Sequence, residues 1–352
     1  MSKKKSIKKK QWLLRKHKKI MRRLQRDNRR KKTLRRVKSQ NEIKKGHEHV
    51  VVAPTNLSLS DNANETSKFF EKVFKIIGKC KKGHIICFDL SCIEHVTVDA
   101  IMYLIAVIRN SKIITHFGIA CKGNMPLRRE ARDIFERVGF YDHVHRIKRS
   151  TQEIKNDERI KIVSGKESDV NMTSSICDFV NEKIGSKNNL RTKRLYSMLV
   201  ELMTNVKQHA YHSENGNMSS RWYVYAENCE KFVQLVFLDT GVGIPSTIRK
   251  NWSEKLKDGI KGLLGGDVDD PRYIEAAFNG EFRTETRQGN RGKGLPEIKE
   301  AIIALDSSLN NLKIVSGHGI CTINKAGING GQYIDTAFEG ALFMWCFEKE
   351  GI

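Results

Sequence analysis

Three short segments of this 352-residue chain carry side chains whose types and spacing could do chemistry together. The first contains Glu201 and Asn205, a carboxylate and an amide four residues apart, which a helix would place on one side. The second begins at Asp239, in the run Asp-Thr-Gly-Val-Gly-Ile-Pro, and the third is the glycine-rich run from Gly289 to Leu295. A glycine-rich turn that opens a helix presents backbone amides to phosphate. Together the segments offer the groups that an Mg-ATP site needs.

The first segment lies in a stretch with helical periodicity, from about residue 190 to residue 211. Its predicted apolar side consists of Leu195, Leu199, Met203 and Val206. Glu201, Asn205 and His209 recur every four residues and form one slowly turning polar stripe. A surface stripe is the simpler interpretation, but it does not explain the two segments that follow. For Lys207 and His209 the simpler interpretation is the stronger one, and we assign neither to catalysis.

The second segment follows an apolar run, residues 232–238, that predicts a buried strand. A carboxylate at the end of such a strand is costly to bury unless a donor satisfies it. Gly241 and Gly243 would let the backbone pass close to a ligand at a point where a side chain would collide. The pattern therefore predicts that a ligand group reaches Asp239.

The third segment is a turn that precedes a helix predicted over residues 295–305. The turn contains three glycines, Gly289, Gly292 and Gly294. Free amides at the start of the helix and the positive end of its dipole form a cradle for phosphate groups. Lys293 adds a positive charge to this cradle.

In this order, the three segments resemble those of the GHKL superfamily of ATP-binding domains, which includes gyrase-type ATPases, mismatch-repair ATPases, sensor histidine kinases and anti-sigma serine kinases. The resemblance covers residues 159–349. It implies that Asn205 coordinates Mg²⁺, that Glu201 orients or deprotonates the attacking water or hydroxyl, and that Asp239 accepts a hydrogen bond from the adenine amino group. The other residues expected to bind ATP are Gly241, Gly243, Gly289, Gly292, Lys293, Gly294 and Leu295.

The same resemblance makes residues 245–289 the ATP lid, with a helix near residues 273–278. Thr284 and Arg287 are candidates to approach the phosphates when this lid closes. The family often has Gly-Thr before its last strand, where this chain has Gly340-Ala341. Adenine recognition would then rely on Asp239 and water, or on Thr336.

Residues 47–150 form a second predicted unit. Strands are expected over residues 84–91 and 115–121, and helices over residues 98–110 and 127–138. This alternation favours a small α/β domain with parallel strand pairing.

The unit resembles a STAS domain, the fold of the anti-anti-sigma proteins, through the runs at residues 88–91, 95–101 and 135–140. Asp99 occupies the place of the family's phosphoacceptor serine, which implies that phosphorylation does not switch this domain there. A simpler interpretation is that Asp99 is an ordinary acid in the first turn of a helix. The resemblance implies that the domain docks a protein partner.

Positive charge is concentrated at the N-terminus. The net charge of the chain is +24, and residues 1–46 contain 22 Lys or Arg against two acids, whereas the rest holds 42 basic and 38 acidic residues. Such an arm could bind the phosphates of RNA or DNA, remain a solvated tail that docks on an acidic partner, or lie on a membrane surface. We consider nucleic acid the most plausible partner of the three.

The eight cysteines show no CxxC pair and no Cys/His spacing of the kind found in zinc sites. They predict reduced, mostly buried thiols. No apolar run reaches the length of a membrane span, and the basic arm lacks the apolar core of a signal peptide. We therefore expect a cytoplasmic protein.

The sequence thus predicts an α/β protein: a basic arm (1–46), a STAS-like domain (47–150) and a GHKL two-layer α/β sandwich (159–349) with a mixed sheet and helices on one face. The chain ends at Ile352, soon after the last predicted strand, without the second domain that supplies a lysine in gyrase-like relatives. An upstream helical hairpin with a phosphoacceptor histidine is not evident either. We therefore expect an ATP-dependent kinase of the anti-sigma branch that acts on or docks a partner protein. The alternatives are a nucleic-acid-associated ATPase that dimerises or closes on ATP, and a module that binds ATP without chemistry.

Overall fold

A computed structural model describes residues 47–144, 155–185, 189–210, 216–251, 269–281, 294–304 and 309–349. The basic arm, the centre of the predicted lid, and the glycine turn up to Lys293 lie outside the described residues. The protein is an α/β protein with a three-stranded, a six-stranded and a two-stranded sheet. None of the helices in the described ranges combines the length and apolar character needed to cross a membrane.

The N-terminal unit contains five strands and five helices in the described residues. They are β1 (Glu48–Val52), β2 (Asn56–Leu57), α1 (Ala63–Ile77), β3 (Ile85–Asp89), β4 (His95–Val96), α2 (Val98–Asn110), α3 (Lys112–Phe117), β5 (Ala120–Gly123), α4 (Arg129–Arg137) and α5 (Phe140–Val144). Strand β3 lies between β1 and β5 and pairs with both in parallel, which confirms the predicted parallel pairing.

The strand predicted over residues 115–121 is wrong for its first half. Residues 112–117 form α3, and β5 begins only at Ala120. The Ser111 side chain caps α3 by accepting a hydrogen bond from the Ile114 amide at 3.4 Å, and Gly118 ends the helix with a φ of 61°. These local capping contacts outweigh the strand propensity of the residues between them.

The C-terminal unit contains six strands and five helices in the described residues. They are β6 (Lys155–Asn156), β7 (Arg159–Gly165), α6 (Val170–Ile184), α7 (Asn189–Ala210), β8 (Trp222–Asn228), β9 (Phe232–Asp239), α8 (Ile244–Asn251), α9 (Asp270–Asn279), α10 (Gly294–Ala304), β10 (Leu309–Asn324) and β11 (Gly327–Glu348). The strand order is β10-β11-β9-β8-β7-β6.

Every pairing in this six-stranded sheet is antiparallel among the described residues, so the predicted mixed sheet is wrong. Short hairpins explain the difference. Residues 229–231 join β8 to β9, and residues 325–326 join β10 to β11. A connection this short can join only antiparallel strands, because a parallel pair needs a crossover of about a dozen residues.

The two faces of this sheet pack against different layers. Leu235 and Phe237 of β9 belong to the core beneath α6, α7, α9 and α10, whereas Val236 and Leu238 belong to the core shared with the N-terminal unit. Helix α2 covers this second face, and its residues 100–107 are at most 1% exposed. A helix that is apolar all round can be buried on every side.

Hydrogen bonds also join the two units where α2 ends. The Asn110 amide donates to the Ser219 carbonyl and, at 3.0 Å, to Thr240 Oγ1. The Tyr103 hydroxyl donates to the Glu339 carbonyl at 3.0 Å. The N-terminal unit therefore contacts the residue that directly follows Asp239.

Candidate functional site

Helix α7 carries the carboxylate and the amide of the first segment. Its predicted apolar residues, Leu195, Leu199, Met203 and Val206, are all buried, which confirms the predicted side of the helix. Glu201 and Asn205 are only partly buried and lie at the rim of this core. Burial of the apolar side thus fixes the rotation of α7 and turns Glu201 towards α10, with Asn205 hydrogen-bonded to it.

The Glu201 carboxylate lies against Gly294, the first residue of α10. It occupies the space that a Cβ atom at position 294 would need, so a larger residue there would force the Glu201 side chain to move. Burial raises the pKa of Glu201, and the nearby Glu297 raises it further, whereas a hydrogen bond from the Asn205 side chain lowers it. A carboxylate with a raised pKa is a better proton acceptor near neutral pH.

Asp239 ends β9 on the same sheet face as these helices. In register it stands between Trp222 of β8 and Ala341 of β11, and both belong to the core beneath the helices. Its Oδ1 accepts a hydrogen bond from the Gly241 amide at 2.7 Å. Burial raises the pKa of this carboxyl to about 7.

No second hydrogen bond to the Asp239 carboxylate is found among the described residues. Oδ2 is thus the acceptor available to a ligand amino group. Ala341 occupies the cross-strand position beside it, and its methyl side chain cannot form a hydrogen bond. Thr336, the other residue considered for adenine binding, shows no contact with Asp239 in the described part of the chain.

Of the two glycines after Asp239, Gly243 is required by the backbone and its neighbours. Gly243 has a φ of 84°, and a Cβ there would come within 2.8 Å of both the Gly340 carbonyl and Ser316 Oγ. Ser316 braces this turn, since its hydroxyl donates to the Gly340 carbonyl at 2.6 Å and accepts from the Ile244 amide at 2.9 Å. At Gly241, a Cβ would crowd Asp239 Oδ1 at 3.1 Å. The turn is therefore held rigidly beside the carboxylate.

The predicted phosphate cradle is only partly within the described residues. Gly294 is buried, and Leu295 packs against the core beneath the helices. Gly289, Gly292 and Lys293 lie outside the described residues, and so do Thr284 and Arg287. Helix α10 begins at Gly294, one residue before the predicted start at Leu295, so its first amides lie next to Glu201.

The predicted lid contains two described helices, α8 and α9, and α9 confirms the helix expected near residues 273–278. Asp270 fixes α9 to the sheet, because its carboxylate pairs with Arg249 and accepts from the His318 amide at 2.7 Å. The Arg249 guanidinium also lies over the Tyr273 ring, 4.8 Å from its centre. These contacts join α8 and the start of α9 to β10.

A cavity of about 700 Å³ opens between the two units, and the sequence did not indicate it. Its apolar wall includes Phe70, Tyr103 and Phe338. The cavity is also lined by Val242 and Ser246, which lie in and just after the turn that follows Asp239. The turn after Asp239 thus separates the face of α7 from this cavity. The cavity is lined by residues that are far apart in the chain, so a local sequence pattern cannot predict it.

Asp99 is a structural residue in this fold. It is 3% exposed, and its carboxylate accepts from the Leu59 and Ser60 amides at 3.2 Å each and from Ala100 at 2.5 Å. Burial raises its pKa. The side chain joins the loop before α1 to the start of α2 and is not presented to a partner, which supports its interpretation as a first-turn acid.

No model of a known protein family matches this chain. A search of curated proteins also finds no significant match.

Proposed function

We propose that this protein is an ATP-binding regulator of the GHKL type, with its nucleotide site in residues 159–349, and that it acts as a kinase on, or docks, a partner protein. One observation carries the proposal. Glu201 of α7 contacts Gly294 at the start of α10 and is hydrogen-bonded to the Asn205 side chain, while Asp239 lies on the same face of the sheet. All three sequence segments contribute described residues to this side of the molecule.

The donor set fits Mg-ATP. The amide oxygen of Asn205 suits Mg²⁺, which prefers hard oxygen ligands, and the Glu201 carboxylate beside it remains available to accept a proton. Asp239 offers a free carboxylate oxygen to an amino group, as adenine recognition requires. When bound, Mg²⁺ would neutralise charge on the phosphates. Amides at the start of α10 would face the same phosphates.

Within this site we assign each side chain one task. Asn205 holds the metal and orients Glu201 through their shared hydrogen bond. Glu201 accepts the proton of the attacking hydroxyl or water, helped by its raised pKa. Asp239 selects adenine, and the rigid turn at Gly241 and Gly243 keeps its carboxylate in place.

Contacts between the units support a regulatory role. Helix α2 packs on the back of β9, and Asn110 hydrogen-bonds to Thr240 beside Asp239. A movement of Asp239 can therefore be passed to the N-terminal unit through Thr240, which follows it in the chain and contacts Asn110. We propose that this unit, which resembles a STAS domain, docks the protein partner.

A nucleic-acid-associated ATPase is the second candidate. The observation that favours it is the charge of residues 1–46, with 22 basic side chains against two acids. Phosphate contacts by such an arm would give binding that weakens steeply with salt. This candidate predicts hydrolysis that nucleic acid stimulates and that depends on the arm.

Turnover of γ-labelled ATP with Mg²⁺ tests the reaction, with free phosphate separated from labelled protein. Glu201→Ala should abolish turnover, and Glu300→Gln, at an exposed position of α10, serves as the matched control. Label on a separate protein supports the kinase, whereas free phosphate that rises with RNA or DNA supports the ATPase. Turnover that persists in Glu201→Ala would contradict the assignment of Glu201.

A further inference from the structure

A cluster of two histidines and a cysteine lies at one end of the parallel sheet, far from the nucleotide site in the chain. The cluster consists of His49, Cys80 and His84, and its possible ligand atoms all lie within 4.8 Å of one another. His49 Nε2 and His84 Nδ1 are 3.0 Å apart. Cys80 is buried, and the two imidazoles are partly buried.

Strand pairing and one tight turn bring these residues together. Parallel pairing of β1 with β3 sets His49 beside Ile86, two residues after His84. The Ile85 amide also donates to the His47 carbonyl at 3.0 Å. Cys80 follows α1 in a turn where its amide donates to the Ile77 carbonyl at 3.0 Å. The three side chains are therefore placed by backbone hydrogen bonds that need no metal.

The spacing suits a tetrahedral ion. Zinc binds nitrogen at roughly 2.0–2.1 Å and thiolate sulfur at about 2.3 Å, so ligand atoms around it lie roughly 3.3–3.7 Å apart. The two nitrogens are already close to this separation. The Cys80 sulfur, which lies within 4.8 Å of both, would move closer to them and give up its hydrogen bond to the Ile76 carbonyl. Two imidazoles with one thiolate are ligands that zinc prefers.

Further contacts restrain the side chains of this cluster. The Cys80 thiol donates a hydrogen bond to the Ile76 carbonyl at 3.3 Å. The His47 ring stacks on His84 with centres 4.4 Å apart and an angle of 5°. This stacking restrains the orientation of the His84 ring.

We propose that His49, Cys80 and His84 bind one zinc ion, with water in the fourth position. The ion would replace the hydrogen bond between the two imidazoles, and the imidazole that donates this bond would carry its proton on its other ring nitrogen instead. The Cys80 thiol would release its proton to solvent as the Zn–S bond forms. It would fasten the start of β1 to the turn before β3. Because residues 1–46 directly precede this strand in the chain, the site would anchor the point where the basic arm joins the fold.

Metal binding to the reduced full-length chain tests this proposal. Zinc is titrated against a chromophoric chelator, and Co²⁺ serves as a spectroscopic probe for thiolate coordination. We expect one high-affinity ion per chain and a thiolate-to-cobalt charge-transfer band. Cys80→Ser should abolish the band, and His49→Gln should weaken zinc binding by on the order of a hundredfold, since even an outer partner is worth roughly ten- to a hundredfold.

The matched controls are Cys92→Ser, at an exposed cysteine, and His116→Gln, at an exposed histidine outside the cluster. Both should bind the metal as the wild type does. Zinc binding that survives unchanged in Cys80→Ser would overturn the proposal, because the ion would then lie elsewhere. If Cys80→Ser fails to fold, the wild-type cobalt spectrum still decides, since absence of the charge-transfer band excludes a thiolate ligand.

Discussion

Glu201 on α7 and Gly294 at the start of α10 are in direct contact, and the carboxylate fills the space that a side chain at position 294 would occupy. These residues are 93 positions apart in the chain. Packing of α7 against α10 therefore sets where the proposed proton acceptor lies relative to the phosphate cradle.

Gly294→Ala should displace Glu201 and lower ATP turnover, because the new methyl group would collide with the carboxylate. A displacement of about 1 Å at a reacting group can cost on the order of a hundredfold in rate. Steady-state turnover and thermal unfolding would be measured together. Gly78→Ala is the control, since its Cβ would meet no atom closer than 3.4 Å and its backbone is helical. Equal turnover in Gly294→Ala and wild type would contradict the assigned position of Glu201.

Asp239→Asn should weaken ATP binding while stabilising the fold at pH 8. If the side-chain oxygen of the new asparagine accepts from the Gly241 amide, the NH₂ group of the asparagine faces the amino group of the ligand. Both groups are then donors, and no hydrogen bond can form between them. The wild-type pKa of about 7 lies above the unfolded value, so the wild type loses stability as the pH rises towards 7. Asparagine does not ionise, so the variant should not lose this stability. We expect its free energy of unfolding at pH 8 to exceed that of the wild type by roughly 1–3 kcal/mol, after allowance for the partial exposure of the side chain.

The same pKa predicts that ATP affinity of the wild type rises between pH 6 and pH 8, since only the ionised carboxylate accepts from an amino group without competition from its own proton. The rise should be about tenfold at most. Asp239→Asn should show no such rise. Chemical unfolding and ATP titration at pH 5, 6, 7 and 8 check both effects, and a stability difference independent of pH would refute titration of Asp239 as their cause.

Gly243→Ala should destabilise the protein by roughly 2–4 kcal/mol, through backbone strain and collision with Gly340 and Ser316. Gly118→Ala separates the two causes. Its φ is 61°, but a Cβ there would meet nothing within 4 Å, so only strain remains. The difference in unfolding free energy between the variants measures the collision. Equal losses would show that Ser316 and Gly340 move aside at no cost.

Asn110→Ala should weaken ATP binding although Asn110 lies in the N-terminal unit. It removes the hydrogen bonds to Ser219 and Thr240, each worth about 0.5–1.5 kcal/mol, although the Ser219 carbonyl still accepts from the Thr240 hydroxyl and Thr240 Oγ1 from the Arg221 amide. Tyr103→Phe is the control, because it loses one bond to the Glu339 carbonyl at the same interface but not beside Asp239. If both variants bind ATP as the wild type does, the proposed communication through Thr240 fails.

The periodic elements could be predicted from the sequence. Helix α2 spans Val98–Asn110 as expected, and α7 buries the expected side, because both depend on apolar spacing along one helix. Antiparallel pairing in the large sheet was missed, since it follows from hairpins whose lengths the strand pattern alone did not define. Residues 112–117 were missed because a single capping serine decided their structure.

In the candidate sites, too, local features could be predicted from the sequence, whereas features that depend on long-range contacts could not. Asp239 stood out because an acid directly follows an apolar strand, a local signal. His49 comes from a different element than Cys80 and His84, and only the pairing of β1 with β3 brings the three together. The cavity beside Tyr103 likewise depends on how α2 packs across the sheet. Contacts between distant segments leave no trace in residue spacing.

Equilibrium binding of Mg-ATP to the full-length chain at pH 8 is the most direct measurement. It compares wild type with Asp239→Asn, and with Asp178→Asn at an exposed position of α6 as the matched control. We expect saturable binding that Asp239→Asn weakens by at least about tenfold, the cost of roughly one lost hydrogen bond, and that Asp178→Asn leaves unchanged. Absence of ATP binding by the wild type, or equal affinity of wild type and Asp239→Asn, would contradict the proposed nucleotide site.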